Sequence, residues 1–121
     1  MLTGNELEIM QIVWRLRSAT VRDVYEELRG RRKIAYTTVM TMMGILEQKG
    51  FLKKNRGDKA YVYRPSQPKN KVVGSMVADF VERVFEGSAK PLLVHLVENE
   101  QISRKELDEI TRLLRERRGE S

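Results

Sequence analysis

The sequence predicts a mainly α-helical chain with one small antiparallel β-hairpin, divided into two domains. Apolar residues recur at helical spacing in six segments, and two short alternating segments flank a basic turn that contains glycine. Pro65-Ser-Gln-Pro68 is the one linker-like segment between the hairpin and the later helices. We therefore predict one domain at residues 1–67 and a second at residues 68–121.

Composition and charge indicate a folded protein with a polyanionic partner. Of the 121 residues, 40% are hydrophobic and 33% are charged, and the formal net charge is +6. Residues 1–70 contain 14 Lys and Arg against 7 Asp and Glu, whereas residues 71–121 contain 9 against 10. Net charges of +7 and −1 indicate that the first half attracts nucleic acid, or secondarily an anionic membrane, and that the second half binds protein.

Features that the sequence lacks narrow the function further. The chain has no cysteine, which excludes disulfides, thiolate metal sites and thiol redox switches. No apolar run approaches the ~18 residues that span a bilayer, and the polar N-terminus does not resemble a signal peptide. We expect a cytoplasmic protein without direct membrane insertion.

Capping residues mark the first two helices. Thr3 and Glu6 have the spacing of a capping box, and Ser18-Ala-Thr20 interrupts the first helix before Thr20 opens the second. The expected apolar faces contain Leu7, Ile9, Met10, Val13, Trp14 and Leu16 in the first helix and Val21, Val24, Tyr25 and Leu28 in the second.

A third helix of about residues 36–49 and a hairpin complete the first domain. The helix ends at Gly50, and strands at 51–54 and 60–64 enclose a basic tip at 55–59. Its core face contains Val39, Met42, Met43 and Leu46. Tyr61 and Tyr63 are residue types that stack bases of single strands, but we favour packing against the helices for both. Three helices and a hairpin predict a winged helix-turn-helix.

The third helix and the hairpin tip contain the candidate DNA-binding residues. Three threonines within five residues weaken a helix, which favours a functional role over an ordinary solvated face. Threonine hydroxyls and methyls contact base edges in a major groove, and basic side chains contact phosphates. The expected DNA-binding residues are Tyr36, Thr37, Thr38, Met40, Thr41, Arg56 and Lys59. Less specific candidates for the DNA backbone, with solubilising charge as the alternative, are Arg31, Arg32, Lys33, Lys53 and Lys54.

The second domain is predicted to contain three more helices with broad apolar faces. Gly87-Ser88 ends the fourth helix, and Pro91 lies in the first turn of the fifth. Ser103 and Glu106 form a capping box for the sixth. About 50 residues bury little core alone, so we expect two copies to pack together in a dimerisation region. The predicted interface contains Val73, Met76, Phe80, Val84, Leu92, Leu93, Leu96, Leu107, Ile110 and Leu114.

Catalysis is not expected from this sequence. His95 is the one histidine and cannot build a metal site alone, so we interpret it as a surface or interface residue. The sequence has no Ser–His–Asp arrangement and no glycine-rich phosphate loop. We predict no enzyme, no cofactor, no metal and no small-molecule substrate.

Five blocks of sequence between Leu7 and about Arg115 match one known family in the same order. The blocks are Thr38-Val-Met-Thr41, Leu46-Glu-Gln-Lys-Gly-Phe-Leu52, Tyr61-Val-Tyr63-Arg, Leu93-Val-His-Leu-Val-Glu98 and Ile102-Ser-Arg-Lys-Glu-Leu107. On these blocks the chain resembles the penicillinase-repressor family (BlaI, MecI and CopY type). The resemblance implies a homodimeric, sequence-specific transcriptional repressor that binds a dyad-symmetric DNA operator. It places the helix at 36–49 in the major groove, the wing at 55–59 along the backbone, and the dimer in the C-terminal helices.

The resemblance also implies a route of release from DNA. In antibiotic-responsive members, the pathway of a membrane sensor protease leads to cleavage within the dimer helices. The Asn-Phe bond that is cut in well-known members aligns here with His95-Leu96, which are the candidate cleavage site. Copper-responsive members have paired cysteines near the C-terminus, which this chain lacks, so copper sensing by that route is not expected.

The residues alone leave two alternative functions open. A basic winged helix also serves as a non-specific nucleic-acid-binding module, or as a platform that docks proteins. Equal affinity for a dyad operator and for random duplex DNA would favour the first alternative. Binding that is insensitive to replacement of both Thr41 and Arg56 would favour the second.

Overall fold

The computed structural model describes residues 1–119 and contains six helices and one two-stranded antiparallel sheet within that range. The elements in chain order are α1 (Gly4–Leu16), α2 (Val21–Arg29), α3 (Tyr36–Gln48), β1 (Leu52–Arg56), β2 (Tyr61–Pro65), α4 (Lys69–Phe85), α5 (Lys90–Glu98) and α6 (Arg104–Arg117). The chain divides into two compact units, Met1–Ser75 and Met76–Ser121, so α4 contributes residues to both. The predicted mainly helical winged-helix fold is confirmed, whereas the domain boundary at residues 67 and 68 stays a prediction.

Reciprocal hydrogen bonds start three of the helices. At α1, the Thr3 hydroxyl accepts from the Glu6 amide at 3.2 Å, and the Glu6 carboxylate accepts from the Thr3 amide at 2.9 Å. Thr20 opens α2 in the same way, with Asp23 as its partner. At α6, the backbone and side-chain hydrogen bonds from Ser103 lower the pKa of its cap partner Glu106. The expected caps are confirmed because a capping box depends on residues three positions apart.

The core of Met1–Ser75 lies between α1, α2, α3 and the hairpin. Its fully buried large side chains are Ile9, Met10, Ile12, Val13, Val24, Leu28, Val39, Met43, Leu46 and Leu52. The prediction that Leu16 is part of this core is wrong, because Leu16 lies in the last turn of α1 and is 36% exposed. Ile12, which the predicted face omitted, is buried instead.

The hairpin is fastened to the first turn of the chain after α1. Leu52 pairs with Pro65 at one end of the hairpin, and Arg56 pairs with Tyr61 at the other. Ala19 exchanges two backbone hydrogen bonds with Tyr63, at 3.0 and 2.8 Å, which extends the sheet by one bridge. A Cβ at Gly57 would lie 2.7 Å from the Ala60 carbonyl oxygen, so this tight turn requires glycine.

The two tyrosines of β2 have different environments. Tyr63 is buried at the helix layer, and this burial raises the pKa of its phenol. The expected core packing is wrong for Tyr61, which is 49% exposed. Tyr61 lies at the tip end of β2, opposite Arg56, and its ring lies 4.6 Å from the Lys54 ammonium. The hairpin therefore projects beyond the helices that cover Tyr63.

A buried ion pair joins the start of α1 to the end of α3. Glu6 is 5% exposed, and its two carboxylate oxygens accept from Lys49 Nζ at 2.8 and 3.0 Å. Lys49 Nζ also donates to the Met1 carbonyl at 3.1 Å. Burial raises the pKa of the Glu6 carboxyl, but the hydrogen bonds and charge of Lys49 and the Thr3 amide outweigh it, so the pKa lies below its usual value.

The unit Met76–Ser121 differs from the first unit in its burial. None of its described residues is buried, although its helices contain many large apolar side chains. Phe85 contacts the rings of Phe80 and His95, with ring centroids 5.8 and 6.0 Å apart. None of the described helices is both long enough and apolar enough to cross a membrane.

Candidate nucleic-acid interface

The exposed face of α3 presents hydroxyl and thioether side chains to solvent. Thr37, Thr38 and Thr41 are exposed, as is 45% of Met40, whereas Val39 on the opposite side is fully buried. The first turn of α3 contains no acidic residue, and no side chain caps its backbone amides. The small, uncharged surface that results is of the kind that can approach base edges closely.

An aromatic pair connects the start of α3 to α2. The rings of Tyr25 and Tyr36 meet edge to face, with centroids 5.4 Å apart. The Arg22 guanidinium lies 5.9 Å from the Tyr36 ring, and the Arg29 guanidinium lies 5.9 Å from the Tyr25 ring. Tyr36 is therefore held in place by α2, while part of its ring remains exposed.

Three residues of this cluster were missed by the sequence reasoning. Tyr25 was assigned to the core face of α2, and Arg22 and Arg29 were not considered as site residues. Their spacing at positions i, i+3 and i+7 places all three on one helix face, which is a signal that the sequence does contain. Its connection to Tyr36 depends on how α2 packs on α3.

The cations at the hairpin tip are available for a ligand. Arg56, Lys59 and Lys53 are exposed, and in the described part of the chain no carboxylate lies within ion-pair distance of any of them. Lys54 differs, because it pairs with Glu47 of α3 at 3.6 Å and lies over the Tyr61 ring. Lys54 thus joins the wing to α3.

The basic turn after α2 is largely neutralised within the protein. Arg32 pairs with Glu8 at 2.8 Å, and Arg31 pairs with Glu8 at 3.6 Å and with Glu27 at 3.8 Å. Lys33 has no such partner among the described residues. The five less specific cations of the sequence analysis therefore divide into paired residues (Arg31, Arg32, Lys54) and unpaired ones (Lys33, Lys53).

The remaining predicted site residues lie in the later helices. His95 and Leu96 are on α5, where His95 is exposed and Leu96 is half-buried. The residues expected in a dimer interface are half-buried or exposed on α4, α5 and α6. Phe80 is 47% exposed and Leu114 is 50% exposed.

Comparison with known proteins identifies the family. Residues 2–116 match the family model of the penicillinase repressor. The chain belongs to the penicillinase repressor family. It is 35% identical over 113 residues to the transcriptional regulator BlaI of Mycobacterium tuberculosis, covering 92% of this chain and 80% of that protein. It is 26% identical over 118 residues to the penicillinase repressor of Bacillus licheniformis, covering 98% and 92%.

Further relatives agree with this assignment. The methicillin resistance regulatory protein MecI of Mammaliicoccus sciuri is 25% identical over 113 residues, which cover 93% of this chain and 92% of that protein. The family is one of transcriptional repressors rather than enzymes. The predicted family, the DNA-binding winged-helix character and the assignment as a non-enzyme are therefore confirmed.

Two solved structures are similar to the fold. One is the solution structure of monomeric B. licheniformis BlaI in complex with the blaP half-operator, at 27% identity and a TM-score of 0.52, covering 58% of this chain and 85% of that one. The other is the oxidised form of MarR from E. coli, at 11% identity and a TM-score of 0.54, covering 95% and 74%. The MarR likeness concerns the fold alone.

Proposed function

We propose that this protein is a homodimeric transcriptional repressor that reads a dyad-symmetric operator with the exposed face of α3. The observation that carries the proposal is the uncharged threonine and methionine face of α3 beside unpaired cations of the wing. The half-operator complex of B. licheniformis BlaI supports it, because that protein matches the present fold at 27% identity.

Base reading is assigned to the first two turns of α3. In helix-turn-helix proteins, residues near the start of the reading helix contact base edges. The hydroxyls of Thr37, Thr38 and Thr41 are suited to hydrogen bonds with bases, and the side chain of Met40 is suited to apolar contact with a thymine methyl. Tyr36 completes this set at the N-terminal end.

Phosphate contact is assigned to the unpaired cations. Arg56 and Lys59 at the hairpin tip have no acidic partner among the described residues to displace, so DNA binding costs no intramolecular ion pair. Lys53 and Lys33 are further candidates for the same reason. Each phosphate neutralised steepens the log–log salt dependence of binding by about 0.9.

Dimerisation is assigned to the apolar side chains of α4, α5 and α6. Large apolar residues that are 40% or more exposed in these helices are Val77, Phe80, Val84, Leu93, Val94, Val97, Ile110, Leu113 and Leu114. Soluble monomers rarely expose apolar patches of this kind, and such patches mark sites of protein association. A second copy of the chain would cover them and would link two reading helices.

Release by proteolysis is the finer part of the proposal. A cut between His95 and Leu96 would separate the rest of α5 and all of α6 from α4, and His95 is exposed. Because affinity for a dyad depends on two linked reading units, such a cut would release DNA without changing α3. A membrane sensor protease pathway is the proposed source of the signal, and the cytoplasm is the proposed location.

Selection of duplexes from a random-sequence DNA library tests the proposed function. We expect the full chain to enrich a motif with two inverted half-sites, and to bind it at least about 1,000-fold more tightly than random duplex. Enrichment of no motif would favour a non-specific nucleic-acid-binding module. Absence of DNA binding would favour a protein-docking winged helix, and either result would overturn the repressor proposal.

A further inference from the structure

The first turns of α4 are held firmly by the winged-helix unit. The indole Nε1–H of Trp14 donates to the Gln67 carbonyl at 3.3 Å, 53 residues away in sequence. The Ser66 amide donates to the Phe51 carbonyl at 2.9 Å. Val72, at 5% exposed, is the one buried residue among those of α4. These contacts fix the path of the chain from the wing into α4.

Gly74 follows this anchored segment within the same helix. A Cβ at Gly74 would meet nothing within 4 Å, so no contact within the chain requires glycine there. Glycine in a helix interior is less stable than alanine, and Gly/Ser pairs are frequent sites of helix bending. Gly74-Ser75 is such a pair, and the first compact unit ends at Ser75.

We propose that the residues that anchor and follow the start of α4 determine which half-site spacings the dimer accepts. In this proposal Trp14 and Val72 are positioning residues that fix the start of α4, and Gly74 is the point at which the helix flexes. The proposal rests on the proposed function, since spacing has meaning only for a dimer on a dyad. It predicts opposite effects for changes at the two places.

The test uses the dyad duplex recovered by selection, together with duplexes that have one base pair added or removed between the half-sites. Each such change moves the half-sites by about 3.4 Å along the axis and also rotates one relative to the other. The measured quantity is spacing selectivity, defined as the affinity for the selected spacing divided by the affinity for the altered spacings. Affinity for a single half-site duplex and the mass in solution are measured in parallel.

Gly74→Ala stiffens the helix at the proposed flexure. We expect spacing selectivity to rise about fivefold, in line with the difference in helix propensity between the two residues, with unchanged half-site affinity and unchanged mass. Asn70→Ala is the matched control, because it raises helix propensity in the anchored turn and should leave selectivity unchanged. Unchanged selectivity in Gly74→Ala would overturn the proposal. Loss of self-association would also overturn it, since it would assign Gly74 to close packing between copies.

Trp14→Phe removes the indole donor and keeps an aromatic ring. We expect spacing selectivity to fall about threefold to tenfold, the range that one lost hydrogen bond produces, while half-site affinity is unchanged. Val72→Ala should act in the same direction. If half-site and dyad affinities fell by the same factor, Trp14 would serve only the reading unit, and the proposal would be wrong. If the wild-type chain itself failed to prefer a dyad to a half-site, the proposed function would fail instead.

Discussion

The two compact units of this protein use apolar residues in opposite ways. Residues 1–75 bury a complete core, whereas the described residues of 76–121 bury none of their large apolar side chains. The first unit therefore has the burial that a folded module needs by itself, and the second lacks it. The difference teaches that α3 and the wing owe their geometry to contacts within one chain, and that the later helices depend on a second copy.

A charge placed in the exposed apolar face of α4 should have the largest effect. For Phe80→Asp we expect loss of the dimer and at least about a 100-fold loss of affinity for the selected dyad, because linked binding contributes factors of that size. Affinity for a single half-site duplex should be unchanged. Gel shifts on the two duplexes measure both quantities. Gln101→Asp is the matched control, since it adds the same charge between α5 and α6, and an equal loss in the control would refute the assignment.

A cavity in the first unit should destabilise that unit alone. Leu28 is fully buried, so Leu28→Ala should cost about 2–5 kcal/mol in the free energy of unfolding. Leu113→Ala, at a position 58% exposed, should leave the unfolding of the first unit unchanged. Trp14 is the single tryptophan of the chain, so its fluorescence during urea unfolding reports on the first unit. Similar losses in both variants would mean that the units do not differ as described.

The buried Glu6–Lys49 pair should make the first unit sensitive to acid. The pKa of Glu6 is lowered from 4.5 by folding, so its contribution to stability is present above that pH and is lost as the pH falls through the folded-state pKa. Glu6→Gln should cost about 1–3 kcal/mol at pH 7 and should flatten the decline of stability below pH 4.5. Urea titrations followed by Trp14 fluorescence from pH 3 to 7 measure this. Glu8→Gln, which breaks exposed pairs with Arg31 and Arg32, is the control and should cost less than about 1 kcal/mol.

Changes on the reading surface should be smaller and should separate two kinds of contact. Arg56→Ala should reduce the slope of log affinity against log salt by about 0.9 on every duplex. Thr41→Ala should instead change which bases are preferred, by about 1–3 kcal/mol at one position. Arg31→Ala is the matched control for Arg56, because Arg31 is already paired with Glu8 and Glu27. An equal change of slope in Arg31→Ala would contradict the distinction between paired and unpaired cations.

The features that were predictable from sequence depend on neighbours along the chain. The caps at Thr3, Thr20 and Ser103 are confirmed because their partners lie three residues away. The exposed threonine face of α3 follows from helical spacing in the same way. The winged-helix order of elements was accessible for this reason.

The features that were missed depend on tertiary packing. Glu6 was recognised as a cap residue, but its ion pair with Lys49 joins residues 43 positions apart. Tyr61 and Tyr63 share one strand face, and where the helix layer ends decides that Tyr63 is buried and Tyr61 is exposed. Periodicity specifies which face a residue occupies, and it does not specify how far the neighbouring element extends.

Sedimentation equilibrium of the full chain at micromolar concentration tests most directly whether a second copy completes the second unit. One chain has a mass of 14.1 kDa. We predict twice that mass for the wild-type protein and a single-chain mass for Phe80→Asp. A wild-type mass of 14.1 kDa under these conditions would contradict the account, because the apolar faces of α4, α5 and α6 would then be exposed in a stable monomer.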